Sequence, residues 1–365
     1  MKILLLGEYS NLHWTLAEGL RTLGHHVVVA SDGDGFKNFK RDIDLKRNSS
    51  GITDTLSTIG SIYKNLDNFK NYDIVQLINP CFTTLNIHIN RQLYKFLKKH
   101  NDKVFLGAFG DDSYWLKACL DKSTFRYSEF YIGNKKNYFT ENEKLIAKWG
   151  EGTQRQKLNT EIADNCDGII ACLYEYYAAY EPFYSDKLKY IPLPVNLDKV
   201  KKIELEPAEI IHFFVGINKV RSKFKGTDKL YNTLVQIRDK YPESVRIKTT
   251  ESVEYKEYMN TIRNSHVVLD QLYSYSPAMN GLLSLAMGKV LVSGGEPEMY
   301  ELLSEYENRP IINVFPTEED IYLKLDNLVQ GKEEIPLIAE KSRQFVEKHH
   351  DHIEVAREYL QFWTS

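Results

Sequence analysis

The sequence predicts an α/β protein made of two doubly wound, Rossmann-like domains that face each other across a cleft. The chain has 365 residues, which exceeds the length at which a single hydrophobic core usually keeps growing. Short apolar segments alternate with segments whose apolar residues recur at helical spacing, a pattern typical of parallel sheets with helical crossovers. This alternation stops at a pair of prolines, Pro192 and Pro194, and then starts again.

The prolines divide the chain into the two predicted domains. Proline fixes φ and cannot donate to a strand ladder, so residues 190–196 are expected to form a rigid connector. The N-terminal domain is predicted over residues 1–193 and the C-terminal domain over 194–345. Residues 346–365 are predicted to form a C-terminal helix that packs back towards the N-terminal domain.

Each element follows from its local pattern. In the N-terminal domain, strands are predicted over residues 2–6, 27–30, 74–78, 104–108 and 168–172, and helices over 12–23, 87–99 and 175–181. In the C-terminal domain, strands are predicted over residues 210–215, 245–249, 267–269 and 290–293, and helices over 226–241, 255–264 and 282–287. Residues 340–363 are predicted as one long amphipathic helix or a helix pair. Residues 117–160 interrupt the alternation and are expected to be an insertion with one or two helices; no site is placed there.

Composition limits the classes of partner. The formal net charge is only -3, which argues against a nucleic-acid binder held by bulk electrostatics. The apolar run at the N-terminus is too short for a signal segment, and no apolar run is long enough to cross a membrane. These observations predict a cytoplasmic protein without a transmembrane segment and leave peripheral association with a membrane open. The cysteines lack paired spacing and are expected to be reduced core thiols.

The first loop argues against a redox cofactor. Gly7 ends the first predicted strand, and Glu8, Asn11 and His13 follow it. A dinucleotide fingerprint needs three glycines at this place, and the loop has one. The sequence therefore predicts neither a nicotinamide nor a flavin cofactor.

A cluster of cations follows the first strand of the C-terminal domain. Residues 216–228 read GINKVRSKFKGTD and precede a helix. Arginine makes planar bidentate contacts to phosphate, lysine supplies a mobile charge, and a helix start adds free N–H groups. A solvated surface loop is the alternative. At the mouth of a cleft between two sheets, the cluster favours a diphosphate site.

These segments carry a family resemblance. The order of strand, Gly-x4-Arg-x3-Lys-Gly-Thr-Asp and helix, followed by LLSLAMGKVLV at residues 282–292, resembles the nucleotide-binding half of GT-B glycosyltransferases, especially the broad family-four group. The connector IPLPVN at 191–196 and the segment FVEKHH at 345–350 resemble the linker and the crossing C-terminal helix of that group. The resemblance implies that the second domain binds a nucleotide-diphosphate sugar, that the first binds a sugar or glycolipid acceptor, and that no metal is required.

The resemblance also assigns donor contacts. Arg221 and Lys225 match the cations that contact the donor diphosphate, with Lys223 as an alternative, and Gly7 matches a glycine that approaches the donor phosphates. The group usually carries two glutamates eight residues apart, and Tyr275 and Leu283 stand in their places. Tyr275, Ser276 and Asn280 are candidate polar replacements, although Asn280 is equally expected as a helix N-cap. Glu298, in a charged turn after a strand, is a candidate partner for sugar or ribose hydroxyls.

Two adjacent carboxylates are the candidate catalytic residues. Asp111 and Asp112 follow the predicted strand at 104–108 and Gly110. Neighbouring like charges raise one pKa, which suits a base that accepts a proton from an acceptor hydroxyl. The alternative is that one of them caps the helix that begins near Tyr114.

The sequence thus predicts a glycosyltransferase that moves a sugar from a nucleotide-sugar donor to an acceptor hydroxyl in polysaccharide or other glycan biosynthesis. The resemblance implies a retaining, metal-independent reaction. A nucleotide-sugar epimerase or hydrolase, and a non-catalytic subunit that binds a sugar nucleotide, remain as alternatives.

Overall fold

A computed structural model describes residues 1–46, 66–137, 140–217, 222–251 and 255–365, together with residues 60 and 64. The strands of the first half are β1 (Lys2–Leu6), β2 (His26–Ser31), β3 (Ile43–Asp44), β4 (Ile74–Leu77), β5 (Lys103–Ala108), β6 (Tyr131–Ile132), β7 (Lys135–Lys136), β8 (Gly168–Ala171) and β9 (Leu188–Tyr190). Its helices are α1 (Leu12–Thr22), α2 (Ile87–His100), α3 (Ser113–Asp121), α4 (Thr140–Trp149), α5 (Gln154–Asn165) and α6 (Tyr174–Tyr184).

The N-terminal sheet is parallel throughout and has the order β3-β2-β1-β4-β5-β8-β9. The order reverses at β1, where Leu4 pairs with Val28 on one side and with Val75 on the other. Helices cover both faces, so all of β4 and all of β1 except Lys2 are buried. Between α3 and α4, β6 and β7 form a short antiparallel hairpin.

The strands of the second half are β10 (Ile211–Ile217), β11 (Val245–Glu251), β12 (Val267–Leu269), β13 (Val290–Ser293) and β14 (Ile312–Asn313). Its helices are α7 (Ser222–Lys225), α8 (Thr227–Lys240), α9 (Tyr255–Arg263), α10 (Met279–Ala286), α11 (Pro297–Leu302), α12 (Glu318–Gln330), α13 (Ile335–His349) and α14 (His352–Thr364). Short 3-10 turns lie at Gly35–Lys37, Leu66–Phe69 and Lys332–Glu334.

The C-terminal sheet is also parallel, in the order β11-β10-β12-β13-β14, and its strand order reverses at β10. The predicted fold of two doubly wound domains is therefore confirmed. One face of this sheet has its own hydrophobic cluster, which contains Phe213 and Leu234. The other face, with Phe214 and Leu282, belongs to a cluster that continues through the whole N-terminal domain.

The chain crosses between the domains twice, and the crossings are hydrogen-bonded to each other. Residues 191–196 are extended, and the Val195 N–H donates to the carbonyl of His350 at 2.7 Å. The His352 N–H donates to the carbonyl of Val195 at 3.1 Å. The His350 ring Nδ1 lies 2.8 Å from the carbonyl of Leu193. The proline connector is thus fixed against the start of the last helix.

The C-terminal helix α14 packs on the N-terminal domain. A Cβ at Gly19 of α1 would collide with the carbonyl of His352, so glycine permits this close approach. Trp363 is fully buried and its Nε1 donates to the side chain of Gln76 on β4 at 3.3 Å. The predicted segment 340–363 is accordingly a helix pair, since α13 ends at His349 and α14 begins at His352.

Several boundaries differ from the prediction for local reasons. The helix expected over 282–287 begins three residues earlier, at Met279, and its N-cap is Ala278 rather than Asn280. The insertion contains the β6–β7 hairpin in addition to helices, and β3, β14, α11 and α12 were not predicted. Among the helices of the described residues, none has the length and apolar composition needed to cross a membrane.

Candidate active site between the two domains

A cavity of about 710 Å³ lies between the carboxyl edges of the two sheets. On the N-terminal side it is lined by the loops after β1 and β5, which contribute Glu8 and Asp111. On the C-terminal side it is lined by Lys225 at the end of α7 and by Gln271 and Ser274 after β12. Both loops of the C-terminal side adjoin the point where the strand order reverses, which is where doubly wound sheets bind their ligands.

Lys225 lines this cavity, whereas Arg221 lies outside the described residues. The carbonyl of Lys225 accepts the N–H of Leu272 at 2.9 Å, so the cationic loop is fixed to the segment after β12. Burial raises the pKa of Asp270, and the nearby Lys225 ammonium acts in the opposite direction. Lys223 is exposed and does not line the cavity. Of the two lysines on α7, only Lys225 therefore faces the cleft.

The N-terminus of α10 also reaches the cavity, through Ala278 and Met279. Asn280 is the second residue of the helix and makes no capping contact, so the N-cap prediction was wrong. Ala278 has extended backbone geometry and directly precedes the first helical residue, Met279. Asn280 does not line the cavity.

Tyr275 and Ser276 hold the domains together. The Tyr275 hydroxyl accepts the backbone N–H of Arg126 at 2.6 Å, and its ring stacks against Tyr127 and Tyr174 with centroid distances of 4.8 and 5.3 Å. The Ser276 hydroxyl accepts the N–H of Tyr174 at 3.1 Å. Tyr275 still lines the cavity, but its phenol oxygen is already occupied by the N-terminal domain.

Glu298 makes an ion pair rather than lining the cavity. Arg126, on the segment before β6, donates to Glu298 and also to Glu296, the latter at 2.7 Å. The Tyr127 hydroxyl donates to the second oxygen of Glu296 at 2.7 Å. The charged turn after β13 thus binds the inserted segment of the N-terminal domain.

Asp111 and Asp112 occupy different environments. Asp111 is half-buried and lines the cavity. Asp112 is fully buried and caps α3: its carboxylate accepts the Trp115 N–H at 2.9 Å and the Tyr180 hydroxyl at 2.6 Å. Burial raises the pKa of Asp112 to about 6, despite these two hydrogen bonds. The contacts of Asp112 therefore stabilise the fold, and Asp111 is the carboxylate of the pair that a substrate can reach.

The first loop brings a further carboxylate to the cavity. Gly7 has φ +89°, and a Cβ there would collide with Ile78, so the loop turns sharply at this residue. Glu8 follows and accepts the N–H groups of His13 and Trp14 at 3.2 and 3.0 Å. Burial raises the pKa of Glu8 to about 8. Glu8 lines the cavity, mainly as the protonated acid at neutral pH.

Glu175, at the start of α6, links the domains beside the cavity. One carboxylate oxygen accepts the N–H groups of Tyr275 and Ser276 at 2.5 and 3.1 Å. The other oxygen is buried and has no hydrogen-bond partner among the described residues. Burial raises the pKa of this group.

Comparison with known proteins agrees with this geometry. Residues 216–361 match the family described as glycosyl transferase-like. The structure is similar to a sucrose-phosphate synthase from Thermosynechococcus elongatus, with 11% identity, a TM-score of 0.62, and coverage of 100% of this chain and 98% of that one. It is similar to HepE from Anabaena, with 12% identity, a TM-score of 0.61, and coverage of 100% and 99%. It is also similar to a glycosyltransferase from Rickettsia africae, with 15% identity, a TM-score of 0.55, and coverage of 99% of this chain and 97% of that one. No curated protein sequence gives a significant match.

The chain has a GT-B fold, and its residues 216–361 are similar to the glycosyl transferase-like family. The family match runs from the end of β10 into α14 and includes Lys225 and the N-terminus of α10. The structural similarity extends over the whole chain and shows the fold. Together they support a glycosyltransferase enzyme.

In this GT-B protein, the inserted segment contributes more to the cavity than the sequence indicated. No site was predicted within residues 117–160, yet this segment supplies part of the lining: Cys119, Phe125, Tyr127, Ser128, Glu129, Lys148, Trp149 and Arg155. The dense aromatic and charged residues of this segment were the available signal. Of the cysteines, Cys119, Cys166 and Cys172 are buried, Cys81 also lines the cavity, and all four are free.

Proposed function

We propose that the protein transfers a glycosyl group from a nucleotide-diphosphate sugar to an acceptor hydroxyl, within polysaccharide or other glycan biosynthesis. The observation that carries this proposal is a cavity with Lys225 and the start of α10 on one side and Asp111 on the other. A cation and a helix N-terminus suit a diphosphate, and a carboxylate across the cavity suits an acceptor hydroxyl. Departure of the nucleotide diphosphate leaves negative charge on its terminal phosphate, which the Lys225 ammonium would stabilise.

The donor is proposed by comparison. HepE has been solved with UDP and with UDP-glucose, which makes uridine diphosphate sugars the first donors to test here. Arg221 is proposed as a second phosphate contact, and Gly7 as the close approach of the N-terminal domain to the donor. A retaining reaction without a metal and a cytoplasmic location are also part of the proposal. Metal independence is checked by EDTA, which should leave transfer unchanged.

Nucleotide binding is the first test. Uridine, guanosine, adenosine and cytidine diphosphates and their sugars are screened for an increase in Tm of the wild type, of Lys225→Ala and of Lys223→Ala. Both substitutions remove one positive charge from α7, but only Lys225 lines the cavity. We expect at least one nucleotide to stabilise the wild type and Lys223→Ala, and the effect to be lost in Lys225→Ala. No stabilisation by any nucleotide would refute the donor site.

Turnover then separates the enzyme classes. A transferase should release nucleotide faster when an acceptor is present. Sugar release at the same rate without an acceptor would indicate a hydrolase, and nucleotide binding with no turnover would indicate a non-catalytic subunit.

A further inference from the structure

A second cavity of about 360 Å³ lies in the N-terminal domain, beside the main one. The start of α2, the end of α4 and the start of α5 line it with eight residues: Asn86, Ile87, His88, Ala147, Lys148, Thr153, Gln154 and Arg155. Lys148 and Arg155 line the main cavity as well. The two cavities are thus neighbours that share a pair of cations.

The charges of the two cavities differ. None of the described residues that line the second cavity is acidic, and Lys148 and Arg155 are its fixed cations. The main cavity, by contrast, has six acidic residues in its lining, of which Glu8 is mainly neutral at pH 7, and it also has Lys37, Lys225 and the two shared cations. The N-terminal side of the main cavity therefore places carboxylates such as Asp111 near an anionic group, whereas the second cavity places only cations near it.

The Arg155 guanidinium retains donor capacity. Its Nε atom is buried and has no hydrogen-bond partner among the described residues. The guanidinium lies beside Cys81 and acts to lower the pKa of that thiol, although burial raises it overall. A buried donor without a partner is costly, so the Arg155 guanidinium keeps unused hydrogen-bonding capacity beside the second cavity.

The backbone adds donors of the same kind. The caps of α2 and α5 are Asn86 and Thr153, whose side chains accept the N–H groups of Ile89 and Gln156 at 3.1 Å each. The N–H groups of the first two residues of each helix have no partner within the helix. Those four residues all line the second cavity, so two helix starts reinforce the field of the cations.

We propose that the second cavity binds a phosphate group carried by the acceptor, while the acceptor's sugar lies in the main cavity near Asp111. The inference rests on the proposed glycosyl transfer and adds the chemical class of its acceptor. Lys148 and Arg155, placed between the cavities, would bind the phosphate in a charge-assisted manner. The phosphate can belong to a sugar phosphate or to the headgroup of a lipid, and the experiment separates these sources.

The test compares two variants with equal charge changes. Lys148→Gln/Arg155→Gln removes both shared cations. Lys144→Gln/Lys157→Gln removes two exposed cations from the same helices, α4 and α5, and neither residue lines a cavity. The probes are inorganic phosphate, glucose 6-phosphate with glucose as its uncharged counterpart, and vesicles of phosphatidylglycerol with phosphatidylcholine vesicles as the neutral counterpart. Binding is measured by calorimetry and by vesicle sedimentation.

We expect the wild type and the Lys144/Lys157 variant to bind at least one phosphate-bearing probe, and the Lys148/Arg155 variant to bind it at least tenfold more weakly. A difference with glucose 6-phosphate or inorganic phosphate points to a soluble acceptor, and a difference confined to vesicles points to a lipid. If no probe distinguishes the two double variants, the inference is overturned. Lys148→Gln alone, at an exposed position, repeats the comparison without a risk to folding.

A parallel measurement keeps this inference apart from the proposed function. The increase in Tm caused by UDP depends on Lys225, on the C-terminal side of the main cavity, and should persist in both double variants, whose substitutions lie in the N-terminal domain. If UDP stabilises all the proteins but no phosphate probe distinguishes them, only the acceptor inference fails. If no nucleotide stabilises the wild type, the proposed function itself fails.

Discussion

Substitution of Asp111 and Asp112 should separate turnover from stability, although the two residues are adjacent. Asp111 lines the cavity, whereas Asp112 caps α3 and binds the Tyr180 hydroxyl at 2.6 Å. Asp111→Asn keeps the shape of the side chain but removes the charge near the proposed acceptor site. A group that takes a proton in the transition state contributes on the order of a hundredfold or more, so we expect turnover to fall by about that factor while nucleotide binding persists.

The expected effect at Asp112 follows from its pKa. Burial raises it from 3.8 to about 6, so between these pH values the folded protein holds a proton that the unfolded chain has released. Stability conferred by this group is therefore present at low pH and declines as the pH rises from about 4 through 6. Two pKa units correspond to about 3 kcal/mol, and Asp112 is fully buried, so solvent screening does not reduce this value.

Asp112→Asn removes the titration and keeps an oxygen that can accept the Trp115 N–H. Its stability relative to the wild type should therefore improve by about 3 kcal/mol between pH 4 and pH 8. Urea unfolding followed by tryptophan fluorescence at both pH values measures this difference, and Asp111→Asn is the matched control. If the unfolding free energies of Asp112→Asn and of the wild type change in parallel with pH, the assignment of Asp112 as a buried, titrating cap is refuted. Loss of turnover in a folded Asp112→Asn but not in Asp111→Asn would reverse the catalytic assignment.

Further predictions concern the contacts between and within the domains. Tyr127→Phe removes the hydroxyl that donates to Glu296 at 2.7 Å. Because hydrogen bonds to charged groups contribute roughly 1.5–3 kcal/mol, the free energy of unfolding in urea should fall by about this amount. Tyr131→Phe is the control and should not show this decrease. Burial lowers the pKa of His13 to about 3, so the unfolded chain binds a proton at this residue before the folded protein does. The free energy of unfolding should therefore decrease as the pH falls from 6.5 towards 3. Acid unfolding of His13→Gln should lack this part of the pH dependence. Gly19→Ala should displace α14, since its Cβ would collide with the carbonyl of His352, and should lower Tm far more than Gly24→Ala. At Gly24 nothing lies within 4 Å of an added Cβ and only the positive φ of 83° opposes the change, at a cost of about 1–2 kcal/mol.

The regular parts of the fold could be predicted because their signals are local. Strands β1, β12 and β13 were predicted with their observed bounds, since each is a short apolar run next to glycine or polar residues. Strands β3 and β14 have two residues each and are defined only by their pairing with β2 and β13. They are too short for the sequence to show an alternation of apolar and polar residues. Helix α12 could have been found: Thr317 caps it, and Ile321, Leu325 and Leu328 follow at helical spacing.

The candidate site was predictable only where it follows the sheet edges. Lys225 and Asp111 were found because both follow strands of predicted parallel sheets, and the carboxyl ends of such strands form the cleft. The ion pair of Arg126 with Glu296 joins segments 170 residues apart in the chain. The sequence around either residue contains no pattern that predicts this contact. The same holds for Glu175, which lies in a helix that gave no reason to expect a contact with Tyr275 and Ser276.

The missing glutamate pair has a structural counterpart at the domain interface. Leu283 is buried in the hydrophobic core, and the Tyr275 ring lies between Tyr127 and Tyr174. Glu175 of the N-terminal domain brings a carboxylate to this place instead, where it accepts the N–H groups of Tyr275 and Ser276. A backbone N–H group makes one strong hydrogen bond at a time, so a donor sugar can bind to these two amides only if the Glu175 carboxylate moves away. Contact between the domains and contact with a ligand at this loop would therefore compete for the same N–H groups, and the loop before α10 is where domain packing would be coupled to the proposed donor binding.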